Sequence, residues 1–162
     1  MSLKKKLTLS IVSLGVAAVA STGAFAHGGN GDGHYAFGHP GLAKDVKRTF
    51  SITASDYEFS PTALTINAGE TVKFVVRNDS KHMHELTVGD EATQTAHRKS
   101  MARMTDMQHT EGEHEMPSNA VHVKPGGTGE LIWTFTSASE LLYVCNYPGH
   151  ADLGMEGKIT VQ

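Results

Sequence analysis

The stretch Tyr143-Val-Cys-Asn-Tyr-Pro-Gly-His-Ala-Asp-Leu-Gly-Met155 carries the most information about the fold and its chemistry. It holds a thiol, an imidazole and a thioether, Cys145, His150 and Met155, with four residues between each and the next. A strand is expected to end at Cys145, and the Pro-Gly turn after it reverses the chain and brings His150 beside the thiol. Copper binds thiolate and imidazole strongly and thioether weakly, so the stretch predicts three copper ligands on one loop.

A fourth ligand must come from another part of the chain, and residues 78–84 supply two imidazoles. His84 directly precedes the strand-like residues 85–88, whereas His82 lies in a polar turn. A rigid metal site favours the side chain that a strand anchors. His84 is therefore predicted to be the ligand, and His82 remains the alternative.

Each of these four side chains also has a structural explanation. Cys145 could pack as a small hydrophobic residue, Met155 could fill a gap in the core, and the imidazoles of His84 and His150 could serve structure or solvation. Cys145 is, however, the single cysteine of the chain, so it has no partner for an internal disulfide. Its position at a strand end before Pro-Gly-His favours metal ligation.

Around this loop the sequence predicts an all-β Greek-key sandwich. Val72, Phe74 and Val76 share one face of a strand, as do Leu131 and Trp133 in a later one, which is the alternation of half-buried strands. No segment shows strand-helix alternation, and turn residues separate the strands. About eight strands are expected, at residues 49–53, 63–66, 71–77, 85–88, 121–123, 129–135, 141–145 and 158–161.

Residues 89–120 form a long polar insertion between two of these strands. Residues 91–107 contain no Gly or Pro, and His97, Met101 and Met104 would share one face of a helix there. Two interpretations stay open: this face seats a helix on the sandwich, or the imidazoles and thioethers of the insertion form a second, weaker copper site. The other such residues of the insertion are Met107, His109, His114 and Met116.

The N-terminus predicts export. Three lysines, residues 4–6, precede an apolar run over 7–20, and Ala24-Phe-Ala26 supplies the small residues of a cleavage site, so residues 1–26 are predicted to be a signal peptide. The run is too short to anchor the chain in a membrane. The net charge of −3 becomes more negative on cleavage, which argues against a nucleic-acid partner.

Residues 27–47 are predicted to be a flexible arm, because 27–41 are rich in glycine and histidine and poor in apolar residues. Cleavage would give His27 a free amine beside its imidazole, two nitrogens able to chelate Cu(II) with His34 or His39. The folded domain is expected over 48–162.

His84, Cys145, His150 and Met155 on such a sandwich resemble the type 1 copper site of the cupredoxins, and the resemblance covers residues 48–162. It is strongest to the small periplasmic copper-tolerance cupredoxins, which share a His-rich N-terminus, a Met/His-rich insertion and a Phe-Gly-x-Pro-Gly motif, here at 37–41. The resemblance implies that the two histidines and the cysteine are equatorial ligands and Met155 is axial. Glu85 stands where many cupredoxins have asparagine, so a hydrogen bond from this side chain to the Cys145 loop is not carried over.

The resemblance further implies a monomer with one type 1 copper that transfers electrons to a transient redox partner, docked on an apolar patch of Pro148, Ala151 and Leu153. Four protein ligands leave no coordination position for a substrate, so an enzyme is not expected. Two roles stay open. One is periplasmic copper tolerance through binding and one-electron chemistry, and the other is a general electron shuttle between respiratory or denitrifying partners.

Overall fold

The computed structural model describes residues 33–106 and 117–162, and within these ranges the chain forms ten β-strands and one α-helix. Two 3-10 turns accompany them, at Ala43–Asp45 and Ala151–Leu153. The elements are β1 Gly38–Pro40, β2 Arg48–Ser55, β3 Glu58–Ser60, β4 Ala63–Ile66, β5 Thr71–Asn78, β6 His84–Gly89, α1 Glu91–Asp106, β7 Ala120–Val123, β8 Thr128–Phe135, β9 Ser139–Val144 and β10 Glu156–Val161.

The strands form two five-stranded sheets. The first has the order β1-β8-β5-β2-β3 and the second has the order β4-β10-β9-β6-β7. Each sheet is mixed, because β2 pairs with β5 and β4 pairs with β10 in parallel while the other pairs are antiparallel. The second sheet places β6, which begins at His84, beside β9, which ends at Val144. Both sides of the candidate site therefore lie on adjacent strands.

The core lies between the two sheets and follows the alternation read from the sequence. Val72, Phe74 and Val76 are fully buried on β5, and Trp133 and Phe135 are fully buried on β8. Strand β6 is buried along its whole length because α1 packs on its outer face. This dense packing gives the strand ends that carry the site little freedom to move.

The prediction of an all-β sandwich is confirmed, with ten strands in the described ranges instead of about eight. All eight predicted strands are present. The additional two, β1 and β3, have three residues each and lie at sheet edges. Gly38 and Pro40 in β1, and a single apolar residue in β3, give no alternating pattern that would predict a strand.

The predicted flexible arm over 27–47 is corrected in its described part, residues 33–47. Strand β1 pairs with β8, Phe37 is buried, and its ring lies 5.8 Å from that of Trp133. Gly38 permits this contact, because a Cβ there would overlap the carbonyl oxygen of Thr134. Residues 27–32 and the predicted signal peptide, 1–26, lie outside the described residues.

The predicted helix in the insertion is confirmed as α1, Glu91–Asp106, between β6 and β7. Asp90 caps its start by accepting a hydrogen bond from the N–H of Thr93 at 2.8 Å. The helix packs on β6 and β9, so it covers the strands that bear the site. Within the described ranges, no helix combines the length and the apolar character needed to span a bilayer.

Candidate metal centre

The loop between β9 and β10 closes on itself through backbone hydrogen bonds. The N–H of His150 donates to the carbonyl of Tyr147 at 3.0 Å, and the N–H of Met155 donates to the carbonyl of His150 at 3.1 Å. Gly154 takes a left-handed conformation, φ 90°, that ends the short 3-10 turn. The N–H of Cys145 then donates to the carbonyl of Met155 at 3.1 Å, which joins the two ends of the loop.

His84, Cys145 and His150 converge as the sequence predicts. The Sγ of Cys145 lies 3.7 Å from Nδ1 of His84 and 3.3 Å from Nδ1 of His150. The three potential ligand atoms all lie within 4.8 Å of one another. Two imidazole nitrogens facing one sulfur suit copper, so the donor set fits the metal that the spacing predicts.

Met155, the predicted axial ligand, is fully buried and directly precedes β10. Its carbonyl accepts a hydrogen bond from the backbone N–H of Cys145, so the backbones of the two residues are directly linked. This placement keeps Met155 a candidate for the fourth position.

The two competing histidines lie in different surroundings. His84 is fully buried, whereas His82 is exposed and its ring stacks on Tyr57 at 5.9 Å. The group of three ligand atoms in the described ranges includes His84 and not His82. The geometry thus supports the predicted choice of His84.

The turn before His84 is fixed by the buried side chain of Asn78. Its Nδ2 donates to the carbonyls of His82 at 2.7 Å and Val123 at 3.0 Å, and its Oδ1 accepts from the N–H of Ser80 at 2.9 Å. Satisfying a buried amide in this way makes the turn costly to rearrange. His84 therefore enters β6 from a defined position.

Burial controls the protonation of the metal-free ligands. It raises the pKa of the Cys145 thiol to about 11, although backbone N–H groups of Glu85 and Tyr147 partly offset the effect. Burial, with His150 and His82 nearby, lowers the pKa of His84 to about 4. Burial also lowers the pKa of His150, with His82 adding to the effect. Both imidazoles are thus neutral at pH 7 and able to bind a metal, whereas a metal that bound the thiol would displace its proton.

Glu85 forms a buried cluster directly beside the site. Its Oε1 accepts a hydrogen bond from the backbone N–H of Asn146 at 2.9 Å, so the link to the Cys145 loop that the sequence left open is present. Nε2 of His97 lies 3.1 Å from Oε1, and Nε2 of His122 lies 3.1 Å from Oε2. Burial alone would raise the pKa of Glu85, but hydrogen bonds from His122, His97 and Asn146 outweigh it and lower the pKa to about 2.

No sequence pattern relates Glu85, His97 and His122. The spacing of His97, Met101 and Met104 predicted that these three anchor a helix or bind a second copper ion. In the structure His97 contacts Glu85 and Met101 is buried, which favours anchoring for both. The side chain of Met104 and the residues Met107, His109, His114 and Met116 lie outside the described residues, so the second copper site stays a prediction.

The proposed N-terminal chelate also stays a prediction. The rings of His34 and His39 lie 5.2 Å apart, and His27 is outside the described residues.

Aromatic side chains surround the half-buried His150. The ring of Tyr57 meets it edge-on at 5.0 Å, and the ring of Tyr147 lies at 5.9 Å. Of the predicted docking patch, Leu153 is 63% exposed, Pro148 is exposed and Ala151 is half-buried.

A family model described as copper binding proteins of the plastocyanin/azurin family matches residues 46–162. The chain belongs to this family, which confirms the predicted cupredoxin and its copper cofactor.

Two curated relatives match most of the chain. It is 37% identical to the copper-resistant cuproprotein CopI of Pseudomonas aeruginosa, over 98% of both chains. It is 38% identical to the copper-resistant cuproprotein CopI of Rubrivivax gelatinosus, over 88% of this chain and 81% of the relative.

Solved structures support the same fold. Auracyanin B superposes with a TM-score of 0.62 at 20% identity, over 78% of this chain and 96% of its own. Auracyanin A of Chloroflexus aurantiacus, described as a "blue" copper protein, superposes with a TM-score of 0.55 at 26% identity, over 70% and 98%.

Proposed function

We propose that the chain binds one copper ion in a type 1 site, with His84, Cys145 and His150 as equatorial ligands and Met155 as the axial ligand. The convergence of two Nδ1 atoms on one Sγ carries this proposal. Bound copper would supply one-electron redox chemistry with these soft and borderline ligands.

The protein would contribute a ligand set that hardly moves. His84 is held by the Asn78 turn and by β6, and Cys145 is held by β9 and by its hydrogen bond to Met155. A site fixed in this way suits both oxidation states, so little reorganisation accompanies electron exchange.

The half-buried ring of His150 is the ligand nearest to solvent, because His84 and Cys145 are fully buried. We place electron exchange with a transient redox partner there, beside the exposed Leu153. Four protein ligands would leave no position for a substrate, so the protein is a carrier and binder of copper and not an enzyme.

The biological role that we propose is periplasmic copper tolerance. The two relatives named copper-resistant cuproproteins align with 98% and 88% of this chain. Export rests on the predicted signal peptide, so the mature protein should begin at His27, which N-terminal sequencing of the periplasmic fraction would test. A start at Met1 would contradict export with cleavage.

A general electron shuttle is the second candidate, favoured by the half-buried His150 beside an exposed leucine. Deletion of the gene separates the two roles. If the deletion strain is sensitive to copper, and the wild-type chain restores its tolerance while Cys145→Ser does not, the result supports tolerance through the site. Unchanged copper growth with a blocked respiratory or denitrifying route supports the shuttle.

The site itself is tested on the purified protein. Addition of Cu(II) should produce a strong thiolate-to-copper absorption band that saturates at one copper per chain and is absent in Cys145→Ser. A single symmetric peak at the monomer mass in size-exclusion chromatography is the expected state of assembly. Wild-type protein without the band would overturn the type 1 assignment.

A further inference from the structure

The carboxylate of Glu85 is fully buried next to the candidate metal centre. Its hydrogen-bond donors are the backbone N–H of Asn146 and the imidazoles of His97 and His122. Within the described ranges, these two histidines are the basic side chains that lie within 4.0 Å of its carboxylate oxygens. Burying a carboxylate is costly, so a group retained here needs a compensating environment, and the three donors provide it.

The backbone and the side chain of Glu85 both form hydrogen bonds to the loop that bears Cys145. Its backbone N–H donates to the Sγ of Cys145 at 3.5 Å, and its Oε1 accepts from the N–H of Asn146 at 2.9 Å. A single residue thus holds two successive residues of the loop from the neighbouring strand. A shift of this side chain would be transmitted to the sulfur.

The two imidazoles come from elements that flank β6. His122 is the direct cross-strand neighbour of Glu85 on β7, and His97 is the seventh residue of α1. The insertion helix therefore contributes a hydrogen-bond donor to the immediate surroundings of the site. The insertion therefore has a structural role beside the site, and this role does not depend on its methionine side chains.

We infer that Glu85 is a positioning residue of the copper centre, which holds the Cys145 loop in place and whose buried negative charge favours Cu(II) over Cu(I). The inference rests on the proposed function, since it assumes copper at the site. His97 and His122 act through Glu85 by holding its carboxylate.

Electrostatics determines which oxidation state the charge of Glu85 favours. On reduction the centre takes up one electron from the reductant, and its charge falls by one unit. A nearby anion in a medium of low dielectric constant stabilises the more positive, oxidised form to a greater degree. Removing the charge of Glu85 should therefore make the centre easier to reduce.

Glu85→Gln tests the charge because the amide keeps the size of the side chain and one oxygen acceptor for Asn146. We expect the band of the copper protein to remain and the ratio of Cu(I) to Cu(II) affinity to rise about tenfold, which is 59 mV for one electron. The measurement is a spectroelectrochemical titration at pH 8.5, above the ordinary titration range of imidazole.

Glu70→Gln is the matched control. Glu70 is also a nearly buried carboxylate, paired with Arg48 at 2.7 Å, but it precedes β5 at the end opposite the Asn78 turn. The eight residues of β5 place Glu70 about 26 Å along the strand from the Asn78 turn. The control should leave the affinity ratio within twofold of the wild type.

A second isosteric pair, Glu85→Asp and Glu85→Asn, separates the effect of the charge from the effect of side-chain length. Glu85→Asp keeps the charge on a shorter side chain and Glu85→Asn removes it, so Asn should exceed Asp in the Cu(I) to Cu(II) affinity ratio. This pair also replaces Glu85→Gln if that variant does not fold. Equal ratios within both pairs would overturn the inference while a wild-type absorption band left the proposed function intact. A wild type without the band would instead overturn the proposed function.

Discussion

The hydroxyl of Ser80 hydrogen-bonds Nε2 of His84 at 2.8 Å. With Nε2 engaged, Nδ1 is the nitrogen that faces Cys145. A histidine whose remote nitrogen is fixed presents one defined lone pair to a metal. The turn before β6 thus sets the ring orientation as well as the backbone position of the first candidate ligand.

The choice between the two histidines can be measured directly. His84→Ala should abolish the strong thiolate-to-copper absorption, because it removes a buried nitrogen beside the sulfur. His82→Ala, at an exposed position, is the control and should retain the band. The reverse result in titrations with Cu(II) would assign the ligand to His82.

Replacement of Met155 should separate a weak ligand from strong ones. In Met155→Leu the thiolate and the two imidazoles remain, so the absorption band should persist while the Cu(I) to Cu(II) affinity ratio rises severalfold. Met101→Leu is a control at another buried methionine, on α1. Complete loss of copper binding in Met155→Leu, or an unchanged ratio, would contradict a weak axial role.

The metal-free protein should lose stability as the pH falls below neutrality. The pKa of His84 is about 4 in the folded chain against 6.5 ordinarily, so the unfolded state binds more protons between these values. Its contribution is complete above pH 6.5 and is lost as the pH falls toward 4. Urea unfolding at pH 7.5 and 5 should show a smaller decrease for His84→Gln than for the wild type.

Glu85 acts in the same direction at lower pH. Its folded pKa of about 2 lies below the ordinary 4.5, so it stabilises the folded state above pH 4.5, and this contribution disappears as the pH falls toward 2.

The role of His84 in the loss of stability has its own contradicting outcome. An equal pH dependence for His84→Gln and the wild type between pH 7.5 and 5 would assign the loss to other groups.

The segment before β2 should contribute to stability. Phe37→Ala would leave a cavity beside Trp133 and should lower the free energy of unfolding by about 3 kcal/mol. Leu42→Ala, at a side chain that is 59% exposed, should change it by less than about 0.5 kcal/mol. Chemical denaturation of both variants provides the comparison, and equal values would show that the segment is not anchored.

The sequence predicted the parts of the fold in which local pattern and burial agree. Val72, Phe74 and Val76 alternate because one face of β5 meets the core, and the spacing of Cys145, His150 and Met155 reflects a loop between adjacent strands. These signals are periodic or chemically distinctive, so they survive without knowledge of the tertiary contacts.

The missed features depend on contacts between distant segments. Phe37 sits in a Gly- and His-rich stretch and is buried only because β8 offers an edge for β1. Glu85, His97 and His122 lie on three elements, and neither spacing nor composition relates them. The one available signal was Glu85 itself, a charged residue directly after the first candidate ligand, where many cupredoxins have asparagine.

The burial of Cys145 has a consequence for the chain before it acquires metal. Its thiol is fully inaccessible, and burial raises its pKa to about 11. Oxidants and disulfides react with exposed thiolates, so a shielded and protonated sulfur is chemically quiet. A copper-free chain would thus keep its sulfur reduced in oxidising surroundings until a metal ion binds there.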